Sequence, residues 1–258
     1  MLTPDLTRAL DEVAGTPRLL VTSDFDGTLA PIVDDPSAAR ALPAAAQALT
    51  ALADVPETTV ALVSGRALDV LRELSALPST VHLVGSHGAE FDTGGPERSD
   101  SGRVHGFVQQ FDHALLARIV AELQTISVGK PGVTVETKPA SAALHVRNAS
   151  AADAEAALEE AHVAARTWDA HVTEGKAVLE FAVVRTDKGE AVDTLREQAD
   201  ATAVVFLGDD VTDENAFRRM RDGDVGIKVG PGETLAAHRI SSPEDVAEVL
   251  AYVLAARR

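Results

Sequence analysis

Two aspartates separated by one residue, Asp24 and Asp26, give this sequence its clearest chemical signal. They lie in the segment Asp24-Phe25-Asp26-Gly27-Thr28-Leu29, directly after an apolar run that is typical of a buried β-strand. At the carboxyl end of a parallel strand, both carboxylates would line the crevice where open α/β sheets bind ligands. Gly27 favours a sharp exit of the chain after such a strand. An isolated Asp-Gly pair is also common in turns, so the segment alone leaves a structural interpretation open.

Three further polar groups follow at predicted strand ends or helix starts. The Ser64 hydroxyl and the amides after it can hold phosphoryl oxygens, although a serine in this position is also a common helix N-cap. Lys188 stands at a predicted helix start, where its charge opposes the helix dipole. Asp209, Asp210 and Asp213 form an acidic cluster that suits a hard cation or, alternatively, a capped helix start.

The elements that must position these residues alternate short apolar strands with longer amphipathic helices, which is typical of βαβ units and a parallel sheet. In the first half we predict strands at Arg18–Ser23, Thr59–Val63 and Val81–Val84 and helices at Leu42–Ala53 and Ala67–Ser75. In the last part we predict helices at Lys188–Gln198, Asp213–Arg221 and from Pro243, and strands at Ala203–Leu207 and Val225–Val229.

The middle of the chain has a different order, which begins after the Gly-, Pro- and Ser-containing stretch Asp92–Gly102. The predicted elements are a helix at Phe111–Ile126, strands at Thr134–Lys138 and Ala142–Arg147, a helix at Ala151–Thr167, and strands at Ala170–Thr173 and Ala177–Phe181. This αββαββ order indicates an antiparallel sheet backed by two helices. We therefore predict a Rossmann-like, doubly wound parallel core, residues 1–104 and 185–258, with an inserted α+β domain at 105–184.

Charged residues alternate along the predicted strands of the insertion. In each of three pairs, alternation places both residues on the same face of their strand. The pairs are Glu136 and Lys138, His145 and Arg147, and Lys176 and Glu180. Any antiparallel sheet with one solvated face produces a similar alternation. The choice of charged, hydrogen-bonding side chains on neighbouring strands favours a surface that binds sugar hydroxyls.

The order of the four motifs, and their placement at strand ends, resembles the haloacid dehalogenase-like phosphotransferase superfamily. The resemblance implies that Asp24 is a nucleophile that forms an aspartyl-phosphate and that Asp26 acts as the general acid and base. It also implies that Lys188 neutralises Asp24 and the phosphoryl group, while Ser64 donates a hydrogen bond to that group.

The same resemblance implies a magnesium cofactor. The Asp24 carboxylate, the main-chain carbonyl of Asp26 and Asp209 would hold the Mg²⁺ ion, and Asp210 and Asp213 would give further acidic support. Hydrolysis is favoured over a stable phosphoryl enzyme because the second aspartate of the first motif is present.

The insertion is similar to the cap of trehalose-6-phosphate phosphatases, with Glu-x-Lys, His-x-Arg and Gly-Lys-x-x-x-Glu in the same order. The segments Gly85–Glu90 and Gly208–Glu214 also resemble that family. The resemblance implies that residues of the insertion bind the sugar, namely Glu136, Lys138, Arg147, Lys176 and Glu180. It also implies that the core contributes the substrate-binding residues Arg66, His87 and Glu90, the last two at the edge of the pocket. Alternatives are a phosphatase for a pseudo-disaccharide phosphate or mannosyl-3-phosphoglycerate, or a non-catalytic domain that binds sugar phosphates.

Composition narrows the classes of partner. The chain has 23 Lys and Arg against 40 Asp and Glu, a net charge of −17, which argues against binding to nucleic acid. It contains no cysteine, which excludes disulfides, thiolate zinc sites and thiol nucleophiles. The N-terminal segment lacks the apolar run of a signal peptide or membrane span. We expect a cytoplasmic monomer that acts on a small phosphorylated disaccharide.

Overall fold

The computed structural model describes residues 2–93, 112–175, 177–184 and 186–258. The chain divides into two units, one formed by Met1–Phe107 with Thr186–Arg258 and the other by Val108–Arg185. We call them the core unit and the inserted unit. Most of the predicted connecting stretch, the predicted helix start at Phe111 and the predicted sugar-binding residue Lys176 lie outside the described residues.

The described residues form the following regular elements. The strands are β1 Leu19–Ser23, β2 Thr58–Val63, β3 His82–Gly85, β4 Glu90–Asp92, β5 Thr134–Thr137, β6 Ser141–His145, β7 His171–Gly175, β8 Val178–Ala182, β9 Ala203–Gly208, β10 Val225–Val229 and β11 His238–Ile240. The helices are α1 Pro4–Ala14, α2 Pro43–Ala53, α3 Leu68–Ser75, α4 His113–Ser127, α5 Ala151–Ala165, α6 Lys188–Gln198, α7 Glu214–Arg218 and α8 Pro243–Arg257.

The core unit is built on a seven-stranded sheet in the order β11-β10-β9-β1-β2-β3-β4. Its strands are parallel except for β4, which runs antiparallel to β3. Successive residues of β1 enter different apolar layers, because Leu19 and Val21 pack with α1, α2 and α8 while Leu20 packs with α6 and α7. Helices thus cover both faces of the sheet, and the predicted doubly wound core is confirmed.

The inserted unit has its own four-stranded antiparallel sheet, in the order β5-β6-β8-β7. Residues of α4, α5 and the strands form an apolar core that is separate from those of the core unit. Within it, Trp168 meets Phe181 edge to face, with 5.0 Å between the ring centroids. The predicted αββαββ order is confirmed.

Four of these elements differ from the sequence predictions by more than two residues. Helix α1 and the three-residue strands β4 and β11 were not predicted, and α7 ends at Arg218 instead of Arg221. The helix stops early because the Asp224 carboxylate accepts the N–H of Arg221, which directs the chain into a turn before β10. Helix α1 begins with a Thr3 cap and Pro4, both of which are common at helix starts.

The registers of the central strands bring the predicted motifs to one edge of the sheet. Ser23, the last residue of β1, pairs with Leu62 of β2 and Leu207 of β9. The segments that follow β1, β2 and β9 therefore leave the sheet side by side at its carboxyl edge, where ligands bind in folds of this class.

No helix among the described residues combines the length and the apolar character that crossing a bilayer requires.

Candidate active site

Asp24 lies buried directly after β1 and is held in place by the neighbouring strand. Its main-chain N–H donates to the carbonyl of Leu207 at the end of β9, at 2.8 Å. Its Oδ1 atom is 2.9 Å from Nζ of Lys188, the first residue of α6. The same ammonium donates to Oδ1 of Asp213 at 2.7 Å. The lysine therefore joins two buried carboxylates that come from different segments of the chain.

Burial dominates the electrostatics of these three groups. It raises the pKa of Asp24 well above its ordinary value, against the attraction of Lys188 and with a further contribution from Asp213. Burial also raises the pKa of Asp213 to about 6, again against the attraction of Lys188. Burial disfavours the charge of Lys188, but Asp24, Asp213 and Asp210 outweigh it and keep the lysine pKa above its ordinary value. Additional positive charge would therefore stabilise both carboxylates in their ionised forms.

Three carboxylates are arranged to receive a cation. Asp24, Asp209 and Asp213 each offer one oxygen atom, and these atoms all lie within 4.8 Å of one another. Such an all-oxygen set suits a hard cation such as Mg²⁺ better than a soft metal. Asp213, which we predicted only as acidic support, belongs to this group. Its Oδ2 atom also accepts the N–H groups of Asp209 at 2.9 Å and Asp210 at 3.0 Å.

Asp210 stabilises the turn that follows β9. Its Oδ1 atom accepts the N–H of Thr212 at 2.8 Å and the hydroxyl of the same residue at 2.6 Å. A longer bond of 3.3 Å comes from the N–H of Asp213. These bonds close a turn that fixes the segment after β9, so Asp210 supports the cluster by shaping its backbone.

Gly27 is required by the close approach of Asp209. The glycine has a φ of +80°, and a Cβ atom at this position would lie 2.1 Å from Oδ2 of Asp209. The Gly27 N–H donates to the carbonyl of Ala30 at 2.7 Å, which closes the loop after Asp26. The loop and the Asp209 carboxylate can therefore pack together only if residue 27 has no side chain.

Asp26 is paired with Arg66, which we predicted as a substrate-binding residue. The guanidinium donates through Nε to Oδ2 and through Nη2 to Oδ1, both at 2.6 Å. It also lies over the ring of Phe25, 5.7 Å from the centroid. The two-fold bond fixes the orientation of the Asp26 carboxylate. Sequence reasoning missed this pair because the two residues are 40 positions apart.

Ser64 ends up buried immediately after β2. Its hydroxyl oxygen accepts the N–H of Arg66 at 3.2 Å, and its carbonyl accepts the N–H of His87 at 3.0 Å. The residue that caps α3 is Ala67, so Ser64 is not the N-cap that the sequence allowed as an alternative. Its hydroxyl instead lies in the loop between β2 and α3, at the same sheet edge as Asp24.

His87 and Glu90 lie next to this loop. The imidazole of His87 packs so closely on Gly65 that a Cβ there would be 2.5 Å from Nε2. Glu90 accepts the hydroxyl of Ser86 at 2.6 Å and the N–H of Leu68 at 3.2 Å, both on Oε2. Glu90 therefore supports the first turn of α3, a structural contact that the sequence did not indicate.

Lys228 is a buried cation that the sequence analysis missed. It lies in β10, is 4% exposed, and donates from Nζ to the main-chain carbonyls of Asp209 and Val229. The available signal was a single lysine inside an otherwise apolar predicted strand.

Two of the predicted sugar-binding residues, Glu136 and Glu180, lie on one face of the sheet in the inserted unit. Glu136 and Glu180 both pair with Ala143 of β6 from opposite sides, so their side chains share a face. Lys138 donates to Oε1 of Glu180 at 3.0 Å, and the ring of His145 lies 2.9 Å from Glu136. Arg147, the remaining described candidate of the inserted unit, follows the end of β6 and is exposed.

A family model described as trehalose-phosphatase matches residues 22–248 of the chain. The chain is 34% identical over 227 residues to the trehalose-6-phosphate phosphatase of Escherichia coli, a match that covers 86% of this chain and 82% of the relative. It is 36% identical over 264 residues to the trehalose-phosphate phosphatase of Mycobacterium avium. That match covers 95% of this chain but 65% of the relative, so the chain spans less than two thirds of the mycobacterial protein.

The structure of the C-terminal domain of trehalose-6-phosphate phosphatase from C. albicans has the same fold, with a TM-score of 0.75. The comparison covers 97% of each chain at 23% identity, which is a likeness of fold.

We predict that Gly27→Ala weakens Mg²⁺ binding, by on the order of tenfold or more, because the new Cβ would displace the Asp209 carboxylate. Isothermal titration calorimetry with Mg²⁺ measures this change. The matched control is Gly223→Ala, since Gly223 has a φ of +89° and nothing within 4 Å of the added Cβ. Equal Mg²⁺ affinities in the two variants would contradict the proposed role of the Gly27 contact.

Proposed function

The chain belongs to the trehalose-phosphatase family, and we propose that it hydrolyses trehalose 6-phosphate through an aspartyl-phosphate on Asp24, with Mg²⁺ as its cofactor. The observation that carries the chemistry is the buried Asp24 carboxylate, 2.9 Å from the Lys188 ammonium and grouped with Asp209 and Asp213. In this proposal residues 1–104 and 185–258 form the catalytic core, and residues 105–184 form the cap that recognises the sugar.

In the first half of the reaction, an oxygen of Asp24 attacks the phosphorus atom while the bond from phosphorus to the sugar oxygen breaks. Asp26 gives a proton to the leaving oxygen. Lys188 holds the Asp24 carboxylate through Oδ1 and offsets the charge of the phosphoryl group. The hydroxyl of Ser64, directly after β2, donates a hydrogen bond to a phosphoryl oxygen.

In the second half, a water molecule attacks the phosphorus of the acyl phosphate and releases phosphate and free Asp24. Asp26, now a carboxylate, accepts the proton of that water. Its pairing with Arg66 supports this step, since the two bonds of 2.6 Å hold the carboxylate in one orientation. Arg66 thus acts indirectly, by orienting Asp26, the general acid and base.

The residues suited to hold Mg²⁺ are Asp24 and Asp209, together with the main-chain carbonyl of Asp26 that we predicted from the sequence. Asp213 joins this set because one of its oxygen atoms lies in the same group. The three carboxylates fit a hard divalent cation, because each offers an oxygen ligand. Burial raises the pKa of both Asp24 and Asp213, so a bound cation would stabilise their ionised forms. When bound, Mg²⁺ neutralises charge on the phosphoryl oxygens and on Asp24.

The sugar is assigned to the charged face of the inserted unit. Lys138, Glu180 and Glu136 present ammonium and carboxylate groups on neighbouring strands, with Lys138 and Glu180 already paired. Such groups form strong hydrogen bonds to hydroxyls. Arg147 and Lys176 complete the proposed set, and His87 and Glu90 are proposed to contribute from the core unit.

The proposed enzyme is a cytoplasmic monomer that acts on a small molecule and binds neither nucleic acid nor membrane. The acidic composition supports the proposed lack of nucleic-acid and membrane partners, since a net charge of −17 repels phosphate backbones and anionic lipid surfaces alike.

We predict phosphate release from trehalose 6-phosphate in the presence of Mg²⁺, at a higher kcat/KM than from glucose 6-phosphate or sucrose 6-phosphate. A chelator should abolish release, because Lys188 alone would offset too little of the repulsion between the phosphate and the carboxylates of Asp24, Asp209 and Asp213. A phosphate-release assay across the three esters, with and without Mg²⁺, measures both effects. Equal values across the esters would contradict the disaccharide assignment, and no release from any ester would contradict the phosphatase itself.

We predict that Asp26→Asn slows hydrolysis of trehalose 6-phosphate by on the order of a hundredfold or more, because a sugar oxygen leaves poorly without a proton. Hydrolysis of p-nitrophenyl phosphate should fall by less than about tenfold, since its leaving group departs as an anion. Asp24→Asn is the reference variant and should eliminate both activities. Equal losses on the two substrates in Asp26→Asn would argue against its role as general acid.

We predict that Glu180→Ala lowers kcat/KM for trehalose 6-phosphate by on the order of ten- to a hundredfold and leaves p-nitrophenyl phosphate hydrolysis nearly unchanged. The reason is that, in this proposal, Glu180 binds the sugar and does not contact the phosphoryl group. Glu174→Ala is the control, because Glu174 follows the residue that pairs with Glu180 and therefore faces the opposite side of the sheet. If the control is equally impaired on the disaccharide, the charged face is only a solvated sheet surface.

A further inference from the structure

Lys228 occupies a strand position that would ordinarily hold an apolar residue. The neighbouring residues Val225, Ile227 and Val229 of β10 are buried in the main apolar layer of the core unit. Lys228 points to the other side of the sheet and is 4% exposed. Its register partner in β9 is Gly208, the residue directly before Asp209. The side chain therefore reaches the segment that carries the acidic cluster.

The ammonium of Lys228 is held by main-chain oxygens. Nζ donates to the carbonyl of Asp209, and to the carbonyl of Val229 at 3.0 Å. Both acceptors are neutral, so they fix the position of the ammonium without cancelling its charge. Removing an ammonium ion from water is unfavourable even after the protein relaxes around it. A charge kept at that cost needs a compensating group of opposite sign.

The acidic cluster next to Lys228 supplies that opposite sign. Burial raises the pKa of Asp209, and the positive charges of Lys188 and Lys228 oppose this rise, so the field of Lys228 reaches the carboxylate. Lys188 interacts with all four carboxylates of the cluster, those of Asp24, Asp209, Asp210 and Asp213. With one lysine and a divalent cation, the four carboxylates would retain one negative charge.

A second lysine removes that remaining charge. This matters because the proposed substrate brings a phosphoryl dianion to the same place, where water screens charges poorly. We propose that Lys228 is a positioning residue that offsets the charge of the acidic cluster, so that the site binds the phosphoryl dianion. The inference rests on the proposed function and adds to it a residue that does not itself touch the reacting atoms.

Calorimetric titrations of the intact 258-residue chain test this role, with Mg²⁺ alone and then with inorganic phosphate at saturating Mg²⁺. In Lys228→Met, phosphate affinity should fall by on the order of tenfold or more, because one positive charge is lost near the anion. Mg²⁺ affinity should stay the same or rise, because the cation loses a repulsive neighbour. In the assay, KM for trehalose 6-phosphate should rise more than kcat falls.

Two further variants separate charge from packing. Lys228→Gln can still donate to the two carbonyls but carries no charge, so it should lose phosphate affinity as Lys228→Met does. Lys130→Met is the control, since Lys130 also donates to a main-chain carbonyl, that of Ile126 at 2.8 Å, but lies in the inserted unit. It lowers the net charge of the protein by the same amount and should leave phosphate affinity unchanged.

The alternatives predict different results. A fall in Mg²⁺ affinity in Lys228→Met would mean that the lysine orients Asp209, and a fall in melting temperature alone would mean that it only supports the fold. Retained phosphate affinity in Lys228→Gln would exclude the charge as the cause. Each of these results overturns the inference while wild-type protein still binds Mg²⁺ and phosphate. Wild-type protein that binds neither would overturn the proposed function and the inference together.

Discussion

The buried bridge from Asp24 through Lys188 to Asp213 is the interaction on which the rest of the site depends. The ammonium is 2% exposed and lies 2.9 Å and 2.7 Å from the two carboxylates. A buried ion pair of this kind is weak support for stability, since desolvation offsets much of the attraction. The loss of one partner, in contrast, would leave an uncompensated buried charge. The bridge therefore requires three separate segments to be correctly placed at once.

The fold places those segments through contacts that do not involve the three charged groups of the bridge. The N–H of Asp24 bonds to Leu207, which fixes β1 against β9. The Asp187 side chain accepts the N–H of Glu190 and so sets the first turn of α6, where Lys188 lies. Further along α6, Arg196 pairs with buried Asp224 just before β10. These contacts hold helix, strand and loop in place independently of the bridge, which preorganises the site.

Local patterns predicted much of this arrangement, and long-range contacts explain what they missed. The strands at residues 203 and 225 and the helix at Lys188 were predicted because hydrophobic period and capping residues are local signals. The pairing of Asp26 with Arg66 and the contact of Lys228 with Asp209 join residues 40 and 19 positions apart. Strands β4 and β11, with three residues each, are too short for a period to emerge.

The two units have separate apolar cores, so the two proposed functions, phosphoryl chemistry and sugar recognition, can change independently. The inserted unit packs around Trp168 and Phe181, while the core unit packs its helices on a different sheet. A substitution at Glu136 or Glu180 alters a solvated face of the insertion and leaves both the bridge at Lys188 and the core around it intact. Substitutions at sites without shared partners have additive effects on stability. The choice of sugar can therefore change without loss of the phosphoryl chemistry, whereas the bridge tolerates no such change.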